Sequence, residues 1–371
     1  MKIDKKSWKK VKFGDVVKQQ KDVIDIATTE LNRYIAGEHM ESEDIHLRKW
    51  GTVGDGYLGP AFIRKFEEGD ILYGSRRTYL KKVTVADFDG ITANTTFVIK
   101  PNRELIDSRL LPFLMLSDSF TKHSIENSKG SVNPYINWKD IANYVFLLPQ
   151  KEEQARFAEL LWAADEMVER GKIVIDELKN VKLLLFKETK NNKKTNTKLG
   201  DCLCIKKTKS KAPHCLDRYI GLEHIASGSC NTESYGNSES VLADNFIFNR
   251  GDLLYSKLRP YLDKAVIADF DGVCTTELLV YNANEKTSNK YILNILHSKD
   301  FLNYIVDKSY GTKMPRVSHE IVSEYTFYLP KIEEQHNILR EISKIDESIT
   351  NATKVIHASQ HLKSSLINQI F

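Results

Sequence analysis

One pattern, written twice, constrains this chain more than anything else in it. From Pro149 to Lys190 the sequence has one glycine and, after Pro149 itself, no proline. Within it Phe157, Leu161, Ala164, Val168, Gly171, Ile175, Leu178, Lys182 and Leu185 alternate spacings of four and three. That is a heptad seam, and it predicts a long helix packed lengthwise on another. The seam returns as Ile338, Ile342, Ile345, Ile349, Ala352, Ile356, Ser359, Lys363 and Leu366, each 181 residues after its counterpart, as Ile338 is after Phe157. The entrances match too. Tyr144-Val145-Phe146-Leu147-Leu148-Pro149 leads into Glu152-Glu153-Gln154, and Tyr325-Thr326-Phe327-Tyr328-Leu329-Pro330 leads into Glu333-Glu334-Gln335.

The segments ahead of the two helices repeat in the same order. Lys12-Phe13-Gly14-Asp15 is answered by Lys198-Leu199-Gly200-Asp201, and Arg33-Tyr34-Ile35 by Arg218-Tyr219-Ile220. Gly69-Asp70-Ile71-Leu72-Tyr73 returns as Gly251-Asp252-Leu253-Leu254-Tyr255, and Ala86-Asp87-Phe88-Asp89-Gly90 as Ala268-Asp269-Phe270-Asp271-Gly272. Gly130-Ser131-Val132-Asn133-Pro134 faces Gly311-Thr312-Lys313-Met314-Pro315. The period is a whole domain, so the chain is a tandem duplication and not a solenoid. Short β-rich runs such as Thr96-Phe97-Val98-Ile99 and Leu278-Leu279-Val280-Tyr281 precede helical patterns at Leu110–Ser124 and Lys290–Asp307. The predicted fold class is therefore α/β (α+β). It has a mixed domain over 1–149, a long helix over 150–190, a polar linker over 191–198, a second mixed domain over 199–330 and a closing helix over 331–371. To bury its stripe against the first helix, the second must return antiparallel, forming a coiled coil in a pseudo-two-fold chain. A helix of about 39 residues is roughly 58 Å long. Gly171 costs the first helix about 1 kcal/mol relative to alanine. Its place on the seam predicts close approach of the partner helix as compensation.

Composition bounds the function classes. At 371 residues the chain exceeds a typical single core. No apolar run approaches the roughly 20 residues of a membrane span, and Met1-Lys2-Ile3-Asp4-Lys5-Lys6 is not followed by the apolar core of a secretory signal. A cytoplasmic protein with no membrane partner is expected. The net charge of +4 neither requires nor excludes nucleic acid, so that case rests on local patches. Cys202, Cys204, Cys215, Cys230 and Cys274 read as reduced structural thiols. Cys202-Leu203-Cys204 near His214-Cys215 lacks the usual spacing of a zinc site, and no metal site is expected.

No stretch reads as a catalytic centre. Gly54-Asp55-Gly56-Tyr57-Leu58-Gly59 has the glycine spacing of a dinucleotide loop, but Pro60 follows at once and no strand precedes it. Asn133-Pro134-Tyr135 lacks one proline of the N-P-P-Y motif of DNA amino-methyltransferases and has no methyl-donor loop beside it. Asp87/Asp89 and Asp269/Asp271 sit in Asp-Phe-Asp-Gly, which reads as turn chemistry before metal ligation. His39 and His224 recur beside β-rich runs, where a histidine is usually packed. What remains are two basic, aromatic clusters. Arg76, Arg77, Tyr79, Lys81 and Lys82 form one, and Lys257, Arg259, Tyr261 and Lys264 the other. Arginine beside tyrosine with lysines a turn on suits phosphate contact plus contact to bases. A solvated hairpin is the plain alternative, and recurrence in both halves favours binding. Lys129 adds charge in the first half, and Lys313 and Arg316 in the second.

Together these features resemble the specificity (S) subunit of type I restriction–modification systems, over essentially the whole chain. The resemblance is carried by two repeated domains, each closed by Phe-x-Leu-Pro, Glu-Glu-Gln and a long helix. It is carried also by the Gly-Asp-Ile/Leu-Leu-Tyr run with Arg, Tyr-Leu and Lys downstream. It implies two target recognition domains, each reading one half of a bipartite site in double-stranded DNA. The helices then set the spacing and dock two methyltransferase (modification) subunits, with restriction/translocase subunits as further partners. This chain is expected to be non-catalytic and to hold no cofactor, S-adenosylmethionine, ATP and Mg belonging to the partners. Its helix seam and partner-docking residues are Phe157, Leu161, Val168, Gly171, Ile175 and Leu178, with Ile338, Ile342, Ile345, Ile349, Ala352 and Ile356. Leu160, Trp162, Met167 and Val174 lie off the seam, where partner helices or the recognition domains would cover them. Half-site centres about one helical turn, roughly 34 Å, apart would suit two domains on one face of DNA. One departure stands out: the second half has Thr276-Glu277 where the first has Asn94-Thr95. Two alternatives remain open, a helical interaction scaffold that binds no DNA and the specificity component of a related DNA-modification defence system.

Overall fold

The structure, a computed structural model, describes residues 3–191 and 196–371, the side chains of 186–191 and Asn196 excepted. The chain divides into two compact units, Met1–Val174 with Ala352–Phe371, and Ile175–Asn351. In the first, Val17–Gln20, Thr96–Pro101, Ile71–Gly74 and Val83–Val85 lie side by side in that order, all antiparallel. A second sheet places Gly51–Thr52, Arg33–Ile35, Gly90–Ala93 and Phe62–Phe66 in order, with Arg33–Ile35 parallel to Gly90–Ala93. Lys9–Lys12 pairs with Val145–Leu148, which hands the chain to the long helix Lys151–Asn191.

The repeated Gly-Asp-Ile/Leu-Leu-Tyr block explains itself here. Successive residues of a strand point to opposite faces. Ile71 and Tyr73 enter the core beneath the helices Leu111–Leu116 and Asp118–Glu126, while Leu72 packs with Ile35, Phe66 and Val98 between the sheets. A strand covered on both faces must be apolar throughout. Ser117 caps the helix Asp118–Glu126 by accepting the Phe120 amide at 3.3 Å.

The second unit repeats the plan. Its four-stranded sheet runs Leu203–Lys206, Leu278–Ala283, Leu253–Ser256, Ala265–Ile267. The other sheet runs Lys209–Ser210, Asn245–Phe248, Gly272–Cys274, Arg218–Ile220, Gly236–Asn237. Its extra strand corresponds to a lone bridge between Val23 and Arg64 in the first unit. Leu253 and Tyr255 again face one core and Leu254 the other. The pair Asn196–Lys198 with Thr326–Tyr328 leads into the long helix Ile332–Ile370. The linker expected over 191–198 is thus shorter. Asn191 ends the helix, 192–195 lie outside the described residues, and Asn196–Lys198 is a strand because Thr326–Tyr328 needs an edge partner, as Val145–Leu148 has in Lys9–Lys12.

Every seam position of the two long helices is buried or half-buried. In the first unit Lys363 Nζ donates to Asp165 at 2.9 Å. A Cβ on Gly171 would lie 2.5 Å from Ile356 Cγ1. Numbers rise on one helix as they fall on the other, so this pairing is antiparallel. In the second unit Lys182 Nζ donates to Asp346 at 2.7 Å, the same ion pair in its repeated positions. The glutamine of each Glu-Glu-Gln is a fully bonded, buried brace. Gln154 accepts the Asp107 amide at 2.7 Å and donates to the carbonyls of Leu105 and Pro149. Gln335 accepts the Thr287 hydroxyl at 2.7 Å and donates to those of Lys286 and Pro330. Among the described residues no helix is long and apolar enough to cross a membrane.

Candidate nucleic-acid interface

Beyond the strand Ile71–Gly74 the chain enters a loop with two non-glycine residues in the left-handed region, Arg77 at φ 50° and Lys81 at φ 46°. They bracket a single 3₁₀ turn, Thr78–Leu80. In the second unit Arg259 at φ 51° and Asp263 at φ 49° bracket Pro260–Leu262 in the same way. Such a conformation costs on the order of 1 kcal/mol or more per residue and persists only where neighbours impose it. The neighbour is the proline turn. Arg77 donates its amide to the Pro134 carbonyl and Arg259 to that of Pro315, each at 2.7 Å. The turn is closed by reciprocal bonds between Lys129 and Tyr135, and between Tyr310 and Arg316. Gly130 at φ 87° and Gly311 at φ 91° supply its left-handed step.

Each unit therefore presents one two-loop platform. Arg76, Arg77 and Arg259 are exposed, and Tyr79 and Tyr261 are each 53% exposed. The proline turn adds residues that sequence reasoning missed: Val132 (90% exposed) and Tyr135 in one unit, Tyr310 and Met314 in the other. The recurring Gly-x-x-x-Pro was their only signal. Lys129 is exposed with Asp140 at 3.8 Å, Lys313 is exposed, and Lys257 is half-buried at the loop's base.

Four expected contact residues have their charge engaged inside the fold. Lys82 Nζ donates to the Gly37 carbonyl, and Lys264 Nζ to that of Leu222 at 2.6 Å. Lys81 reaches Asp118 at 2.7 Å and Glu43 at 3.2 Å, and these carboxylates raise its pKa although burial works against the charge. Arg316 lies against Glu277 at 3.3 Å. For the three lysines the physical reason is shared: the left-handed loop needs anchoring at its far end, and a long cation reaching back to a carbonyl or carboxylate supplies it, whereas Arg316 belongs to the proline turn. Asp263, at the position of Lys81, does this with the opposite sign by bonding His297 Nδ1 at 2.7 Å. Burial disfavours the imidazolium, yet Asp263 and Cys230 lift the His297 pKa to about 9.

Residues 5–180 and 191–358 each match the family model described as type I restriction modification DNA specificity domain. The chain belongs to that family. The specificity subunit of the type I restriction enzyme EcoDI from Escherichia coli is 22% identical over 414 aligned residues, covering 98% of this chain and 88% of that one. That of MjaIX from Methanocaldococcus jannaschii is 22% identical over 343, covering 83% and 78%. Among solved structures, a chain from work on complex assembly and conformational transition of the type I R-M system superposes with a TM-score of 0.60 at 18% identity, over 98% and 97% of the two chains. The S subunit from M. genitalium gives 0.56 at 13%, over 100% and 98%. At such identities the likeness shows the fold.

Among the described residues one group of potential metal ligands comes together, Asp44, His46 and Glu169. Cations already occupy it, with Arg48 on Asp44 at 2.8 Å and on Glu169 at 2.7 Å, and Lys172 on both carboxylates. The five cysteines are free thiols. In Asp-Phe-Asp-Gly the second aspartates brace turns, Asp89 on the Glu68 amide and Asp271 on that of Arg250. His39 and His224 each accept a nearby amide through Nδ1. The departure at Thr276-Glu277 has a partner, for Glu277 holds Arg316 where the first unit has Thr95 and Tyr135.

Proposed function

We propose that this chain is the non-catalytic DNA reader and scaffold of a type I modification complex, each recognition domain contacting one half of a bipartite duplex site. The observation that carries the reading is the duplicated platform, an exposed arginine and tyrosine held in a strained loop by a proline turn. A loop that keeps a left-handed arginine in two domains, while its proline turn changes from Ser-Val-Asn to Thr-Lys-Met, suits a division of labour. The repeated residues, Arg77 with Tyr79 and Arg259 with Tyr261, contact the phosphate backbone that any half-site shares. The divergent tips, Val132 with Tyr135 and Lys313 with Met314, face the bases.

The two long helices set the distance between domains and dock two modification subunits. The exposed apolar residues Leu160, Met167 and Val174, seven apart, support this, because a heptad stripe off the seam suits a further helix. S-adenosylmethionine, ATP and Mg act on those partners, and restriction/translocase subunits join them in the cytoplasm. Sequencing of modified bases in cells with and without the gene tests the reading. A split adenine-methylation motif should disappear with the gene, and Arg77→Ala with Arg259→Ala should weaken it at raised salt. A methylation pattern unchanged by deletion, with the partner genes present, would sink the proposal.

A further inference from the structure

We infer that Arg33 and Arg218 are a second pair of contacts to the phosphodiester backbone of duplex DNA, one per domain; this rests on the DNA-reading function proposed above. The guanidinium of Arg33 lies 4.9 Å from the ring centres of both Trp50 and Phe88. That of Arg218 lies 4.7 Å from Tyr235 and 4.9 Å from Phe270. In each domain the cation sits in the corner of two rings that meet edge-on, Trp50 and Phe88 with centres 5.6 Å apart and Tyr235 and Phe270 with centres 5.2 Å apart. Among the described residues no carboxylate or carbonyl accepts from either guanidinium. The five N–H donors of each guanidinium are thus left for an acceptor from a ligand, and their fork suits a bidentate one. Trp50 and Tyr235, the outer rings, are exposed, so the edge is within reach of a large ligand. An apolar residue would fill the slot equally well if packing were its only purpose.

The duplication selects the acceptor. Domains reading different half-sites must differ where they touch bases, whereas the aromatic corner is the same in both apart from Trp50 against Tyr235. What every half-site has in common is its phosphates. The two positions are not equal in strength. Arg218 opens on a cavity of about 380 Å³ that Asp217 and Glu239 also line. Asn32, whose carbonyl makes the hydrogen bond that Asp217's makes, stands in its place beside Arg33. Asp89 and Asp271, next to the inner rings, each bond a backbone amide. Two carboxylates in the cavity weaken phosphate binding at Arg218, so Arg33 contributes more.

The test is binding of the full chain to a random-sequence duplex, followed by fluorescence anisotropy over about 50 to 200 mM salt. Arg33→Met, Arg218→Met and the double variant keep an apolar stem against the rings, and thermal melting checks their fold. Arg33→Met should lower the slope of log K against log salt by about one, and Arg218→Met by less. A wild-type slope in folded variants overturns the inference and leaves the proposed function intact. If the wild-type chain binds no duplex, both fall. A loss confined to one base position of the modified sequence assigns the arginines to bases and also overturns it. Where the methionine variants do not fold, Arg33→Lys decides: it keeps the charge but not the fork, and should weaken binding several-fold at an unchanged slope. Unaltered affinity there counts against the inference.

Discussion

His297 shows how much one half-buried residue can make of its setting. Its pKa is lifted from 6.5 to about 9 by Asp263 and Cys230, against its burial. A histidine whose folded pKa is raised stabilises the fold fully below its unfolded pKa and loses that contribution as pH rises through the folded one. The second unit should therefore lose on the order of 3 kcal/mol between about pH 6.5 and pH 9. Thermal melting of wild type and His297→Gln over this range checks it. The variant's melting temperature should be lower near neutral pH and nearly flat across the window. Parallel curves would remove His297 from the account. The residue matters for function because Asp263 ends the left-handed loop that carries Arg259. Gly171 makes a second test at this scale. A Cβ there meets Ile356 Cγ1 at 2.5 Å, an overpacking cost of about 1–3 kcal/mol that exceeds the roughly 1 kcal/mol of helix propensity alanine returns. Gly171→Ala should destabilise, and in a denaturant titration it should cost less in an Ile356→Ala chain, where both Cγ1 and Cδ1 are gone.

At the scale of elements the two helices carry one ion pair in two settings. Asp165 is buried, its side chain 4% exposed, between Lys363 and His46, whereas Asp346 is 45% exposed against Lys182. Burial opposes the Asp165 charge, yet hydrogen bonds from His46 and Lys363 hold its pKa below the usual carboxylate range. Removing one partner of a buried pair strands the other charge and costs about 3–5 kcal/mol, while an exposed pair is worth under about 1. Asp165→Ala should lower the denaturant midpoint markedly and Asp346→Ala hardly at all; equal losses would contradict the difference in burial. This scale also shows what the sequence could reveal. The seam was legible because a heptad is a local pattern, and all of its positions are indeed covered. The doubled strand block was legible for the same reason. The bond from Lys82 to Gly37 was not legible because its acceptor is 45 residues away in the chain. The exposure of Tyr135 and Tyr310 was not legible because a turn's exposure depends on which loop it leans against.

On the scale of the molecule, the proposed reading makes helix length a ruler for the split target. Inserting whole heptads in both helices, after Val174 and after Asn351, keeps the seam in register and lengthens each helix by about 10 Å per heptad. One heptad spans about three base pairs of duplex, at 3.4 Å each. It also turns the second half-site by nearly a third of a helical turn, away from the face its domain approaches. Three heptads add roughly 32 Å, close to the 34 Å turn of the duplex, and bring the half-site round to the same face. The three-heptad chain should therefore direct methylation to a motif with both half-sites unchanged and a spacer about nine or ten base pairs longer. The one-heptad chain should direct little, and insertion in one helix alone should abolish modification by breaking the seam. Sequencing of modified bases in cells carrying each chain with its partners reads all three outcomes. If the three-heptad chain keeps the original spacer, the helices are not the ruler, and spacing must be set within the recognition domains themselves.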